Sequence, residues 1–311
     1  MSRILAISLL LSTYISAQVT YRIDTIAGSD YVGDGGNAIA AQLASAVALA
    51  LDAQGNLYIA DSEDHRVRKV DATGLITTVA GNGHAGFAGD GGPARDALLN
   101  GPHGVAVDAA GNVYIADLGN ARVRRISPEG IMTTFAGGGL TLPGSTGDAT
   151  AARLLSPRNL ALDAAGNLYI SDMIGHRVCR VTPNGIISVI AGTGVPGGRG
   201  EDDPATAQLN NPMGLAIGPE GALFIVDHGN HRIRKVHQNR ITTVLEGGPN
   251  TSTRAAILHL PRGVATDGAG NLIYCRHREF TNSEVHTIRT AHYGCGLKDN
   301  STARRRSFRQ S

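Results

Sequence analysis

Three histidines, His65, His176 and His231, each stand directly before an arginine. Three imidazoles converging within about 2.0–2.2 Å of one point could ligate a metal ion, so the first question is whether these three meet. Asp61, Asp117, Asp172 and Asp227 raise a parallel question, because paired carboxylates serve acid–base chemistry. Arg66, Arg122, Arg177 and Arg232 follow them by five residues each. Gly-rich stretches at residues 33–36 and 89–92 (both GDGG) and 197–203 (GGRGEDD) suggest phosphate or calcium loops. No Lys-Ser/Thr follows the glycines and no helix is expected there, so the phosphate reading fails. Calcium takes six to eight oxygens, and only Glu201, Asp202 and Asp203 cluster enough to be considered. No serine lies in a GxSxG setting, and Cys179, Cys275 and Cys295 lack a convincing catalytic partner, which leaves no support for a nucleophilic hydrolase.

The elements that must hold these residues repeat. LDAQGNLYIAD begins at Leu51, VDAAGNVYIAD at Val107, LDAAGNLYISD at Leu162, IGPEGALFIVD at Ile217 and a weaker TDGAGNLIYCR at Thr266, so successive copies start 56, 55, 55 and 49 residues apart. Each copy reads as two hairpins: an apolar pair of strands around an Asp-x-x-Gly-Asn turn, whose Gly and Asn supply positive φ, then a second pair such as residues 65–70 and 75–81. The inner strands are apolar on both faces, as a sheet covered on both sides requires. Four-stranded sheets stacked face to face in a ring satisfy that pattern and hide most of their edges.

Repetition decides the metal and carboxylate questions. Equivalent positions in separate sheets packed about 10 Å apart cannot share an ion away from the axis, so the three histidines read as openers of third strands. His228 and His231 remain a weak local pair at most. Four Asp/Arg sets in four sheets read as a structural device, the carboxylate binding backbone N–H groups or the arginine. No metal and no cofactor is expected.

The string PHGVAVDAAGNVYIADLGNARVRRISPEGIMTTFAG, residues 102–137, resembles an NHL repeat, and the linker AGFAGDGGPARDALLNGP resembles the long inter-blade loop of bacterial NHL-repeat proteins. The resemblance covers roughly residues 20–290. It implies an all-β propeller of four-stranded antiparallel blades. The family includes protein-binding, RNA-binding and enzymatic members, so the fold licenses no single activity.

Residues 22–28 (RIDTIAG) match the fourth strand of a repeat without the three strands that should precede it, so the N-terminal strand is expected to complete the last blade. That gives five blades, whereas the resemblance favours six. Residues 1–17 have the layout of a cleaved export signal ending near Ala17, which places the mature chain outside the cytoplasm, secreted or periplasmic, with no membrane span. Export would allow Cys275 and Cys295 to pair. The propeller then occupies residues 18–290. The segment from Arg276 onward carries eight Lys/Arg against three Asp/Glu, and residues 291–311 read as a basic, disordered tail.

The position just before each first strand holds Val47, His103, Arg158, Met213 and Arg262. These residues differ where their surroundings repeat, and they lie on the face that carries the long loops, so they are the candidate ligand-facing ring. The expected function is a non-enzymatic scaffold binding a protein or peptide there; the alternatives are a metal-dependent lactonase or lyase and a structural module. A formal net charge of +2, no tryptophan and 4% aromatics argue against a nucleic-acid partner.

Overall fold

A computed structural model describes residues 33–143, 146–247, 258–276 and 284–288. The expected closing strand at residues 22–28, the export segment, Cys295 and the basic tail lie outside them. The described chain is built from antiparallel sheets whose strand order follows chain order. The first sheet comprises β1 (Ala46–Leu51), β2 (Leu57–Asp61), β3 (Arg66–Val70) and β4 (Ile76–Ala80); the second, β5 (Pro102–Val107), β6 (Val113–Asp117), β7 (Arg122–Ile126) and β8 (Met132–Gly137). The two-residue β9 (Gly147–Asp148) joins the outer edge of the third, after β10 (Pro157–Leu162), β11 (Leu168–Asp172), β12 (Arg177–Val181) and β13 (Ile186–Ala191). The fourth comprises β14 (Pro212–Ile217), β15 (Leu223–Asp227), β16 (Arg232–His237) and β17 (Arg240–Glu246), and the fifth β18 (Val264–Thr266), β19 (Leu272–Arg276) and β20 (Glu284–Ile288).

The first hairpin of each copy turns on an aspartate. In the first sheet Asp52 Oδ1 accepts from the Gln54 and Asn56 N–H groups at 3.0 and 2.8 Å, and Asn56 Nδ2 donates to Oδ2 at 2.7 Å. The same bonds recur at Asp108, Asp163 and Asp267. Only the glycine of the turn takes positive φ, between +79° and +86° in these four copies. The asparagine, read from sequence as a second such residue, instead clamps the aspartate through its side chain, which ties an Asx turn shut without a left-handed backbone.

Successive sheets bury their facing surfaces in separate apolar layers. Tyr58, Ala60 and Val67 meet Val105, Val113 and Ile115 between the first and second sheets; Ala106, Tyr114 and Val123 meet Leu160, Leu168 and Ile170 between the second and third. The layer between the third and fourth contains Val178, Leu215 and Ile225, and that between the fourth and fifth Phe224, Ile233, Leu272 and Tyr274. The first strands pack side by side in the order β1, β5, β10, β14, β18, while among the described residues the fourth strands make no comparable contact, so the sheets fan out from an axis. This is the β-propeller arrangement. Small residues permit the close inner approach: a Cβ at Gly104 would lie 2.8 Å from the Arg158 carbonyl oxygen, and one at Gly214 equally close to that of Arg262.

Among the described residues, no comparable packing of β18 against β1 closes the row. Leu49 is accordingly 60% exposed, while its counterparts Val105, Leu160 and Leu215 are 4–6% exposed. Part of this free face is covered by the chain that leads into it, where Ala38 and Ala41 pack on Ile59, Val70 and Ile76.

Candidate functional site

Four of the five ring residues do not precede their strands, as the sequence suggested, but sit inside them at a break in register. Val47 in β1, His103 in β5, Arg158 in β10 and Met213 in β14 each lie where the pairing to the second strand shifts. Such a bulge bends the strand and re-aims the extra side chain. Arg262 lies just before β18, as expected.

Backbone contacts chain these positions together. Gly104, next to His103, abuts the Arg158 carbonyl. Asn159 Oδ1 accepts from Leu215 N at 3.1 Å, and Gly214 N donates to the Arg262 carbonyl at 3.1 Å. His228, in the loop after β15, is hydrogen-bonded through Nδ1 to the Pro261 carbonyl at 2.8 Å. His103, Arg158, Met213, Arg262 and His228 therefore line one end of four adjacent sheets, with Val47 beyond His103.

The charge gathered there is positive. Burial, followed by the repulsion of Arg158, pushes the His103 imidazole down to about 4, and its buried Nδ1 has no hydrogen-bond partner. Burial lowers Arg158 as well, with Arg262 adding to the effect. The Arg158 head group donates to Met173 Sδ at 3.5 Å, and among the described residues no carboxylate pairs with Arg158 or Arg262. Guanidinium neighbours are a poor setting for a metal, and among the described residues no three His, Cys, Asp or Glu side chains gather to hold one.

The conserved-looking acids beneath this end are fully occupied. Asp61 accepts from Ala44 and Ser45 N–H at 3.2 and 2.7 Å, Asp117 from Asn100 N at 2.7 Å, Asp172 from Leu155 and Ser156 N at 2.9 and 2.7 Å, and Asp227 from Asn210 N at 2.7 Å. Each thus fixes the chain entering its own first strand. The expected arginine partner is present in two of the four sheets: Arg177 binds Asp172 through Nε and Nη2 at 3.1 and 2.8 Å, and Arg232 binds Asp227 at 2.7 Å. The Asp61–Arg66 and Asp117–Arg122 pairs do not form. Arg66 turns to Asp64, while Arg122 donates to the Asn120 carbonyl and stacks 3.8 Å from the Phe87 ring centroid. The nearer acid and the exposed ring offer these two arginines a partner without desolvating the head group.

The recurrent histidines are latches between sheets. His65 Nδ1 accepts from Gly101 N at 3.1 Å, His176 from Asn211 N at 3.2 Å and His231 from Leu260 N at 3.0 Å, each acceptor reaching the linker that opens the next first strand. All three take left-handed backbone, φ 49–53°. His228 and His231 each use Nδ1 on backbone. Burial lowers His176, His228 and His231 below the ordinary value of 6.5. The folded protein therefore refuses protons that unfolded chains accept, so this stability is complete above pH 6.5 and is lost as pH falls toward the folded values. Thermal midpoints should drop between pH 7 and pH 5, before most carboxylates titrate, and the slope should flatten in His231→Gln; midpoints independent of pH across that window would refute the latch.

A second recurrent arginine, at the place where the third repeat carries Cys179, has partners that the sequence reading missed. Arg68, Arg124 and Arg234 are almost fully buried and reach back to the Gly-rich loops: Arg68 to Asp34 at 2.8 Å, Arg124 to Asp90 at 2.6 Å, Arg234 to Glu201 at 3.3 Å. The loops hold ion-pair acids rather than phosphate or calcium; Asp202 pairs with Arg240 and Asp203 caps the Ala205 N–H. A constant separation of 33–34 residues between loop acid and arginine was the available signal. The third sheet has Cys179 at this position.

Comparison with known proteins places these features among relatives. The model of the teneurin NHL domain matches residues 25–88 and 82–143, and that of the NHL repeat residues 209–236. Teneurin-4 of Homo sapiens is 45% identical over 102 residues, 29% of this chain and 4% of that protein; teneurin-3 of Mus musculus is 30% identical over 236 residues, 67% of this chain and 8% of that protein. The chain thus spans less than a tenth of these relatives. A gluconolactonase from Xanthomonas campestris superposes with a TM-score of 0.53 at 18% identity, covering 79% of this chain and 73% of that one, a likeness of fold alone.

Proposed function

Because the chain belongs to the NHL-repeat β-propeller family, we propose that it is a non-enzymatic scaffold that binds a protein or peptide across the end of the sheets where Val47, His103, Arg158, Met213 and Arg262 lie. One observation carries this reading. The recurrent Asp and His side chains are already bound within the fold, whereas the ring positions vary from Val47 to His103, Met213 and two arginines and leave Arg158 and Arg262 without a carboxylate among the described residues. Binding surfaces are built in this way, from variable side chains on a rigid frame. No described helix is long and apolar enough to cross a membrane, and we propose that the chain acts outside the cytoplasm after removal of residues 1–17.

Selection of displayed peptides on the immobilised protein tests the function. Binders should lose affinity for Arg158→Glu and keep it for Lys69→Glu, since Lys69 lies over the Tyr58 ring on β3, away from the bulges. The rival enzyme reading gains from the lactonase-like fold. Stoichiometric metal after dialysis, together with lactone hydrolysis lost in His103→Ala, would replace the scaffold with an enzyme.

A further inference from the structure

We propose that the end of the third, fourth and fifth sheets is a carboxylate-binding site, formed by Arg158 and Arg262 with His228 and the unpartnered His103 Nδ1, and that its ligand is the acidic side chain of a peptide. This rests on the peptide-binding reading and names its chemistry.

Three observations converge on it. The side chains belong to neighbouring elements already tied by backbone contacts: Gly104 against Arg158, Gly214 N to the Arg262 carbonyl, His228 Nδ1 to the Pro261 carbonyl. Those contacts tie the loop residues Arg262 and His228 to one another and to the end of the stacked first strands. The acids closest in each sheet cannot neutralise them, because Asp117, Asp172 and Asp227 are fully buried and each is already bound to backbone N–H and to an arginine, Arg124, Arg177 and Arg232 respectively. Among the described residues, exposed acid on the corresponding loops stands on the first sheet, at Glu63 beside the Asp64–Arg66 pair, beyond His103 in the row; Glu279, on the fifth sheet's loop, lies outside the described residues. The third observation is His103 itself, which keeps a buried ring nitrogen without a partner beside Arg158.

The partly buried Arg158 and the exposed Arg262 repel one another unless an anion lies between them. A carboxylate relieves that repulsion and accepts from both in a planar geometry that a lysine pair would not match. The neutral imidazole of His103 contributes a donor in the tautomer that carries its proton on Nδ1, and the Met213 side chain supplies an apolar wall. Such a site favours Glu or Asp flanked by small residues, since Gly104, Asn159 and Gly214 bring the inner strands close at this end.

Calorimetric titration of the full chain with a short acetylated and amidated Gly/Glu peptide, its Gly/Gln counterpart and free glutarate tests the site, with amide shifts of Gly104 and Gly214 reporting where binding occurs. The Gly/Glu peptide should bind at least about tenfold more tightly than Gly/Gln, and R158Q and R262Q should each weaken it by about tenfold or more, the effect growing at low salt. Thermal midpoints of both variants should match the parent protein, since neither arginine is paired to a carboxylate among the described residues. Equal affinity for the two peptides would overturn the carboxylate site and leave peptide binding standing. Glutarate binding without peptide binding would overturn the peptide source and with it the scaffold reading. No binding by any of the three, or binding unaltered in R158Q, would overturn the site.

Discussion

Replacing Asp172 by alanine is expected to cost about 3–5 kcal/mol of stability, the range for removing one partner of a buried ion pair. Asp172 is 0% exposed and Arg177 7% exposed, and two hydrogen bonds join them. The same carboxylate accepts from Leu155 and Ser156 N–H, so its loss strands a cation and two backbone donors together, each donor adding a desolvation penalty. Asp172→Asn keeps an acceptor for the backbone and should fall between the alanine variant and the parent. Urea unfolding at pH 7 measures both. A loss below about 1 kcal/mol in the alanine variant would mean that the linker before β10 is held by something else.

Cys179→Arg restores the residue that the other complete repeats carry, and it should nonetheless destabilise the protein by about 3–5 kcal/mol. Arg68, Arg124 and Arg234 are tolerated because Asp34, Asp90 and Glu201 lie at hydrogen-bonding range from their respective loops. The linker before the third sheet carries Asp148 as its acid, and that carboxylate caps the Thr150 N–H and hydroxyl at 2.7 Å. An arginine at position 179 would enter an apolar layer among Ala116, Leu168 and Val181, where the nearby acid, Asp172, already binds Arg177. Burial raises the Cys179 thiol to about 12, so the native residue behaves there as a small apolar group, and Cys179→Ala should cost on the order of 1 kcal/mol. Comparable thermal midpoints for Cys179→Arg and the parent protein would show that this layer admits a charge unaided.

These two sites show how far a repeat can be read. The five-residue step from Asp to Arg is visible in all four regular copies, yet the pair forms only where no closer partner competes: Asp64 takes Arg66, and Phe87 with the Asn120 carbonyl takes Arg122. Local spacing predicted reach, and three-dimensional neighbours chose among the options. The loop acids and the histidine latches join residues 29–36 positions apart, and no period of a strand or helix relates them. Only the 33–34-residue recurrence could have disclosed the arginine set. The ring positions were legible as variation within repetition, but placing them before the strands missed the bulges that re-aim them.

The sequence alone determined that the chain forms successive four-stranded sheets, because alternate turns carry Asp-x-x-Gly-Asn and the inner strands are apolar on both faces, a pattern that stacked sheets satisfy. It also determined that the acids closing the second strands are architectural, since chemistry needs convergence and four equivalent positions in four sheets cannot converge. The tertiary structure alone decided which charges neutralise one another, and that Arg158 and Arg262 are left over among the described residues. Net charge is a sum over residues, whereas an unpaired charge depends on distances between strands far apart in the chain, which exist only once the sheets have stacked.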